Sequence, residues 1–151
     1  MKLFQEFEEI KQNILERMGK RRAFIVAIDG TDHSGKSSLS RYLAWQLEMS
    51  VIEADLCSKE GVSPIETDPV IFSRLLNARL KIDRPVIVEG ITIIESLANI
   101  SNKPDYLIQM NNTDFEGSRM FQEKIKEYKD KYSSKFTPDF TFNWSAIEAS
   151  S

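Results

Sequence analysis

The stretch that decides the fold is AFIVAIDGTDHSGKSSLS, residues 23–40. It opens with an unbroken apolar run over residues 23–28, whose length and β-branched content predict a short buried strand. The apolar residues of the segment 39–47 fall at helical spacing. Between the two, residues 30–37 match the pattern G-x-x-x-x-G-K-[ST] at every fixed position. The stretch therefore predicts a strand, a glycine-rich turn and a helix in direct succession.

This turn has the composition of a phosphate-binding loop. Its glycines allow backbone conformations that a Cβ would hinder, so successive amides can point into one concavity, aided by the helix N-terminus that follows. Lys36 would reach the β- and γ-phosphates of a nucleotide, and the Ser37 hydroxyl would bind Mg²⁺. Thr31, Asp32 and His33 occupy positions open to any residue. We expect Thr31 and Asp32 to form the loop and His33 to face solvent, with a phosphate contact as its alternative role. We assign nucleotide contacts to nine residues, Gly30, Thr31, Asp32, His33, Ser34, Gly35, Lys36, Ser37 and Ser38.

Outward from this stretch, short apolar segments alternate with amphipathic ones. Further strands are predicted at residues 51–55, 85–89, 105–110 and 138–142, and helices at residues 3–18, 72–80 and 115–132. Such alternation predicts an α/β protein with the three-layer P-loop NTPase fold, in which a five-stranded, mostly parallel sheet follows an N-terminal amphipathic helix. We expect Trp45 and Trp144 to be packing residues.

Length and composition limit the possible functions. The 151 residues, 41% hydrophobic and 28% charged, fit one domain over residues 1–151, with an N-terminal helix in 1–22 and a lid at about 111–137. The net charge of -3 argues against nucleic-acid binding, and no apolar stretch is long enough for a membrane span. One cysteine and one histidine provide neither a disulfide nor a Cys/His zinc site. We therefore expect a cytoplasmic protein.

Two acids are predicted to face the loop, because each ends an apolar strand at the edge where parallel sheets bind ligands. Glu89 follows the third predicted strand and is a candidate to hold Mg²⁺ together with Ser37. Asp55 ends the second and is the candidate base for an acceptor hydroxyl, with the metal as a further possible role. The alternative for both is a helix cap or a solvated strand end.

Residues 24–30, the phosphate loop, the IEAD segment at 52–55 and the VIVEG segment at 86–90 together resemble the uridine kinase and nicotinamide riboside kinase group of P-loop kinases. The resemblance runs in order over residues 22–143. It implies a five-stranded parallel sheet, ATP or GTP as phosphoryl donor, Mg²⁺, and transfer to a hydroxyl of a small molecule. It also implies that Asp55 serves as the base and Glu89 serves the metal.

The chain departs from this group in two places. An aromatic residue usually comes soon after the base, whereas Leu56, Cys57 and Ser58 follow Asp55 here. The group also implies an arginine-rich lid after the fourth strand, whereas the segment 115–135 holds only Arg119, which we assign to the catalytic set. The lysines of that segment could close over phosphates, or could belong to a solvated helix.

The leading hypothesis is a small-molecule kinase whose partners are a nucleoside triphosphate and a hydroxyl acceptor. A second is a GTPase-type switch, because the segment Asn111 to Asp114 superficially matches a guanine-reading motif. A third is a nucleotide-binding protein of kinase fold that has lost its acceptor site and transfers no phosphate. The acceptor, the choice between ATP and GTP, and the oligomeric state stay open.

Overall fold

The fold is built on one parallel sheet. The computed structural model of the chain describes residues 2–58, 66–114 and 117–144. All neighbouring strands run parallel, in the order β2-β3-β1-β4-β5. The strands are β1 (Ile25–Gly30), β2 (Ser50–Glu53), β3 (Val86–Gly90), β4 (Tyr106–Asn112) and β5 (Phe140–Trp144). The predicted five-stranded α/β fold is thus confirmed, with the loop-bearing strand β1 in the centre.

Helices cover both faces of this sheet. They are α1 (Lys2–Met18), α2 (Lys36–Leu47), α3 (Pro69–Leu80), α4 (Ile93–Ala98) and α5 (Arg119–Tyr132). Side chains of α1 and α2 share one buried cluster, and those of α3, α4 and α5 share another on the opposite face. Within the described ranges, no helix combines the length and apolar character that crossing a membrane requires.

The two clusters explain the continuous apolar run that opens the deciding stretch. Along β1, Val26 and Ile28 pack against α1 and α2, whereas Ile25 and Ala27 pack towards α3, α4 and α5. Successive side chains of a strand point to opposite faces of a sheet. Because helices cover both faces, apolar residues are favoured at each of the consecutive positions 25–28 of β1.

The N-terminal helix is part of this packing. Its residues Phe7, Ile10 and Ile14 are buried in the cluster shared with α2. The expectation for Trp45 was wrong: its side chain is 75% exposed, because the buried face of α2 is formed by Leu39 and Leu43. The side chain of Trp144 lies outside the described part of the structure.

Three local features differ from the sequence-based expectation. The short helix α4 was not predicted. Asp55 does not end β2 but lies in a 3-10 helix, Ala54–Cys57, that continues from it. The last helix begins at Arg119 rather than at residue 115, because Ser118 is extended and Gly117 has a left-handed φ of +101°.

Candidate active site

The glycine-rich turn lies at the carboxyl end of the central strand, between β1 and α2. A Cβ at Gly30 would collide with the carbonyl oxygen of Met110 and would lie 2.8 Å from Ser34 Oγ, so this position has room only for glycine. Gly35 precedes the first residue of α2 with a left-handed φ of +89°. Glycine is therefore required at position 30 for lack of space, and favoured at position 35 by the left-handed backbone.

Lys36 lies inside the turn that precedes it. Its side chain is nearly buried, and Nζ donates a hydrogen bond of 2.6 Å to the carbonyl oxygen of Thr31. Burial lowers the pKa of this ammonium group, while the negative charges of Glu89 and Asp29 oppose that shift. The ammonium therefore spans the loop, close to where phosphate oxygens would lie.

The loop and two acids line one cavity. It has a volume of about 300 Å³ and is bounded by residues 32–38 together with Asp55, Glu89, Gly90 and Ile91. Glu89 reaches it because β3 pairs with β1 in a register that sets Glu89 opposite Ile28. Asp55 reaches it from the 3-10 helix after β2 and is exposed. The structure thus brings together all three elements predicted from the sequence.

The Glu89 carboxylate is buried, and its surroundings change its pKa. Burial raises its pKa to about 7, with the nearby charges of Glu53 and Asp55 adding to the rise and Lys36 opposing it. Its Oε2 atom is buried and has no hydrogen-bond partner among the described residues. In the part of the chain that the structure describes, no cluster of three or more His, Cys, Asp or Glu side chains could hold a metal by itself. A Mg²⁺ ion with few protein ligands and several phosphate or water oxygens fits this donor set.

Asp29, the residue before the loop, is a buried acid with a different environment. Its Oδ2 accepts a hydrogen bond of 2.9 Å from the Tyr128 hydroxyl of α5, and that hydroxyl in turn accepts from the amide of Ile94. Burial raises the pKa of Asp29 to about 7, although the bond from Tyr128 opposes this. The sequence offered no signal for this pairing, since the two residues are 99 positions apart.

Two loop residues that the pattern leaves open also bind distant parts of the chain. The Asp32 carboxylate accepts hydrogen bonds from both the amide and the hydroxyl of Ser118, which precedes α5. The His33 carbonyl oxygen accepts a bond of 2.6 Å from the side-chain amide of Asn112, at the end of β4. The His33 side chain is 75% exposed, as expected, and Asp32 forms part of the loop. The distant partners of these two residues were not foreseen.

A second cavity, of about 490 Å³, lies on the β4 side of the loop. Thr31 and the two asparagines that end β4 line it, together with side chains of α5, among them Gln122, Lys126 and Lys129. Arg119 lines neither cavity; it is the exposed first residue of α5. Its assignment to the catalytic set stays a prediction.

Comparison with known proteins supports the fold and leaves the family open. No protein-family model matches the chain, and no curated protein does. A structure of a possible uridine kinase from Bacillus stearothermophilus matches with a TM-score of 0.62 and 14% identity, over 94% of this chain and 100% of that one. A structure described as a fructose transport system kinase from Silicibacter sp. TM1040 matches with a TM-score of 0.53 and 18% identity, over 88% and 84%. At these identities the comparisons show the fold alone, which is the parallel α/β architecture of P-loop kinases.

Proposed function

We propose that the protein is a P-loop kinase that transfers the γ-phosphoryl group of ATP or GTP to a hydroxyl of a small molecule. One observation carries the proposal. A single cavity is lined by residues 32–38 of the phosphate-loop segment and by two further acids, Glu89 of β3 and Asp55 of the 3-10 helix after β2. Phosphoryl transfer requires a phosphate cradle, a metal anchor and a group that orients the nucleophile, and these residues can supply all three.

Each side chain of the site has a separate role in the transfer. The loop amides and Lys36 Nζ bind the β- and γ-phosphate oxygens, and Lys36 gives up its bond to the Thr31 carbonyl to do so. The Ser37 hydroxyl and Glu89 would hold Mg²⁺, which supplies charge stabilisation at the phosphates. An acceptor oxygen bonds to the γ-phosphorus as the bond to the β–γ bridging oxygen breaks. The acceptor proton passes to Asp55, and a nucleoside diphosphate leaves.

A second candidate function is nucleotide binding without transfer. It is favoured by the segment after Asp55, because Leu56, Cys57 and Ser58 stand where the resembling kinases carry aromatic residues. The GTPase-type alternative depends on residues 111–114 at the end of β4, and the contacts of these residues support it less well than the other two functions. The Asn112 amide is already bonded to the protein at both ends, to the His33 carbonyl oxygen and to the amide of Asp114.

A phosphotransfer screen with ATP and GTP against nucleosides, ribosides and small sugars tests the proposal. We expect at least one acceptor to be phosphorylated in a Mg²⁺-dependent way. Asp55→Asn should then lower the transfer rate by about 100-fold or more while nucleotide affinity is kept. Nucleotide binding with no transfer to any acceptor would instead support the second candidate, and equal rates in the parent and the Asn variant would remove Asp55 from the mechanism.

A further inference from the structure

Asp32 is an unexpected residue in a loop that would bind a polyanion. It belongs to the wall of the cavity that Asp55 and Glu89 also line. Although partial burial works in the other direction, the hydrogen bonds from Ser118 hold the pKa of this carboxyl below its usual range, so the group is negatively charged at neutral pH. Coulomb repulsion alone predicts that such a charge weakens phosphate binding. Its presence therefore calls for a compensating role.

The contacts of Asp32 indicate what that role is. Ser118 donates its amide to Asp32 Oδ1 at 2.9 Å and its hydroxyl to Asp32 Oδ2, so both carboxylate oxygens are bonded to one residue. Ser118 is the N-cap residue of α5, yet its side chain makes no capping bond within that helix. The preceding Gly117 packs closely as well, because a Cβ there would lie 3.1 Å from Asp32 Oδ1 and 3.2 Å from Thr31 Cβ.

The next loop residue is held from the same side. His33 has a left-handed φ of +59°, a conformation that is sterically unfavourable for a non-glycine residue. Its carbonyl oxygen accepts the bond from Asn112, whose own side-chain oxygen accepts from the amide of Asp114 at 2.8 Å. We call the bonds from Ser118 to Asp32 and from Asn112 to His33 the clasp.

We propose that the clasp holds the phosphate loop in its nucleotide-binding shape before any nucleotide arrives, with Asp32 as a positioning residue. This inference rests on the proposed function. A loop that is already ordered does not lose conformational entropy on binding, and this gain offsets the repulsion from the carboxylate. The clasp also ties the loop to the start of α5, so the loop and that helix act as one unit.

Two substitutions at Asp32 separate the clasp from a simple charge effect, because the two explanations predict opposite signs. Asp32→Ala removes both the charge and the bonds, and we expect the Kd for MgATP to rise by about 10-fold. Asp32→Asn removes the charge but keeps an acceptor for the Ser118 amide and a donor for its hydroxyl, so we expect a Kd equal to or below that of the parent. If Asp32 only repelled phosphate, both variants would bind more tightly.

Ser118→Ala provides a second arm, since it breaks one bond and leaves the carboxylate in place. We expect it to weaken MgATP binding, and the double variant with Asp32→Ala to bind no more weakly than Asp32→Ala alone, because both changes remove the same interaction. Glu127→Ala is the matched control. It removes an exposed acid of α5 that lines neither cavity and has no part in the clasp, so MgATP binding should stay at the parental level.

Amide hydrogen exchange of residues 31–38 in the nucleotide-free protein tests the clasp independently of binding. We expect faster exchange in Asp32→Ala and Ser118→Ala and parental exchange in Asp32→Asn. Unchanged exchange in the first two variants overturns the clasp, as does an Asp32→Ala variant that binds MgATP as tightly as the parent, or an Asp32→Asn variant as weak as Asp32→Ala. A parent that binds neither ATP nor GTP overturns the proposed function, and the exchange data then still decide whether the clasp orders the loop.

Discussion

Glu89 and Asp29 are buried carboxyls on neighbouring strands, and the pKa of each is raised to about 7 by burial. Their surroundings differ. Each has one buried oxygen with no hydrogen-bond partner among the described residues. Glu89 lines the cavity beside the phosphate loop, whereas the other oxygen of Asp29 accepts a bond from Tyr128, and Asp29 lines a smaller cavity of about 120 Å³ under α5. The first arrangement is suited to a ligand and the second to holding structure together.

The metal role proposed for Glu89 predicts a pH-dependent metal titration. Mg²⁺ and a proton compete for the same carboxylate, and the pKa of Glu89 is about 7. The apparent affinity for Mg²⁺ in the presence of ATP should therefore rise by up to about 10-fold per pH unit below pH 7 and level off above it. Glu89→Gln should bind Mg²⁺ more weakly and lose most of this dependence. A variant with the parental titration curve would give Glu89 a purely structural role.

Asp29 predicts a pH dependence of stability with a definite sign. The ordinary pKa of an aspartate side chain is 3.8, and that of Asp29 in the folded protein is about 7, so between these values the folded state holds a proton that the unfolded state has lost. The free energy of unfolding must then fall as pH rises through this window, by up to about 4 kcal/mol, and level off above pH 7. Asp29→Asn cannot titrate and still accepts the Tyr128 hydrogen bond.

Urea unfolding of the parent and of Asp29→Asn at pH 5 and pH 8 measures this effect. At each pH we subtract the free energy of unfolding of the parent from that of the variant. We expect this difference to be larger at pH 8 than at pH 5. The same difference between the two proteins at both pH values would contradict a raised pKa for Asp29.

At the scale of elements, α5 is fixed by one apolar face and a few polar bonds. Ile125, Tyr128 and Tyr132 are buried at helical spacing, while most of the lysines of the helix are exposed. The Tyr128 hydroxyl bridges Asp29 of β1 and the amide of Ile94 in α4. Three elements that are remote in sequence thus meet at one oxygen atom.

Replacement of that oxygen should destabilise the protein measurably. Tyr128→Phe keeps the ring but leaves a buried carboxyl oxygen and a buried amide without their partner, which costs about 1–3 kcal/mol. Tyr132→Phe is the matched control, because its ring lies 5.4 Å from that of Tyr128 on the same buried face. In urea unfolding, we expect a clear loss for the first variant and a small change for the second. Equal losses would show that the hydroxyl bridge contributes no more than an ordinary tyrosine hydroxyl.

The elements also show how far sequence reasoning reaches. The strands of this sheet are buried on both faces, so their apolar runs and the glycine-rich turn between β1 and α2 could be recognised from local sequence. Short α4 was missed because six residues carry too little periodicity. Asp55 was placed at a strand end because nothing in the local sequence distinguishes a strand that stops from one that continues into a 3-10 turn.

At the scale of the whole molecule, the candidate site joins segments that are far apart in the sequence. The motif predicted the loop, and the parallel topology predicted that Asp55 and Glu89 would approach it, since these follow from rules for adjacent strands. The bonds from Ser118 to Asp32 and from Tyr128 to Asp29 span 86 and 99 residues. No local pattern encodes such pairs, because they depend on how α5 packs against the rest of the fold.

This joining of segments predicts that nucleotide binding stabilises the entire fold and that Lys36 is required for the effect. A ligand that binds only the folded state adds RT ln(1 + [L]/Kd) to the free energy of unfolding, which is about 2.7 kcal/mol when its concentration is 100 times Kd. We expect MgATP to raise the free energy of unfolding of the parent by about this amount. Lys36→Ala should lose most of the increase at the same concentration, because the ammonium that spans the loop is absent.

Lys20→Ala, at an exposed lysine just after α1, is the control and should keep the full increase. Comparing each variant with and without nucleotide cancels any effect of the substitution on the empty protein. A Lys36→Ala protein stabilised as strongly as the parent would mean that the nucleotide binds elsewhere, and the phosphate loop would then lose its assigned role.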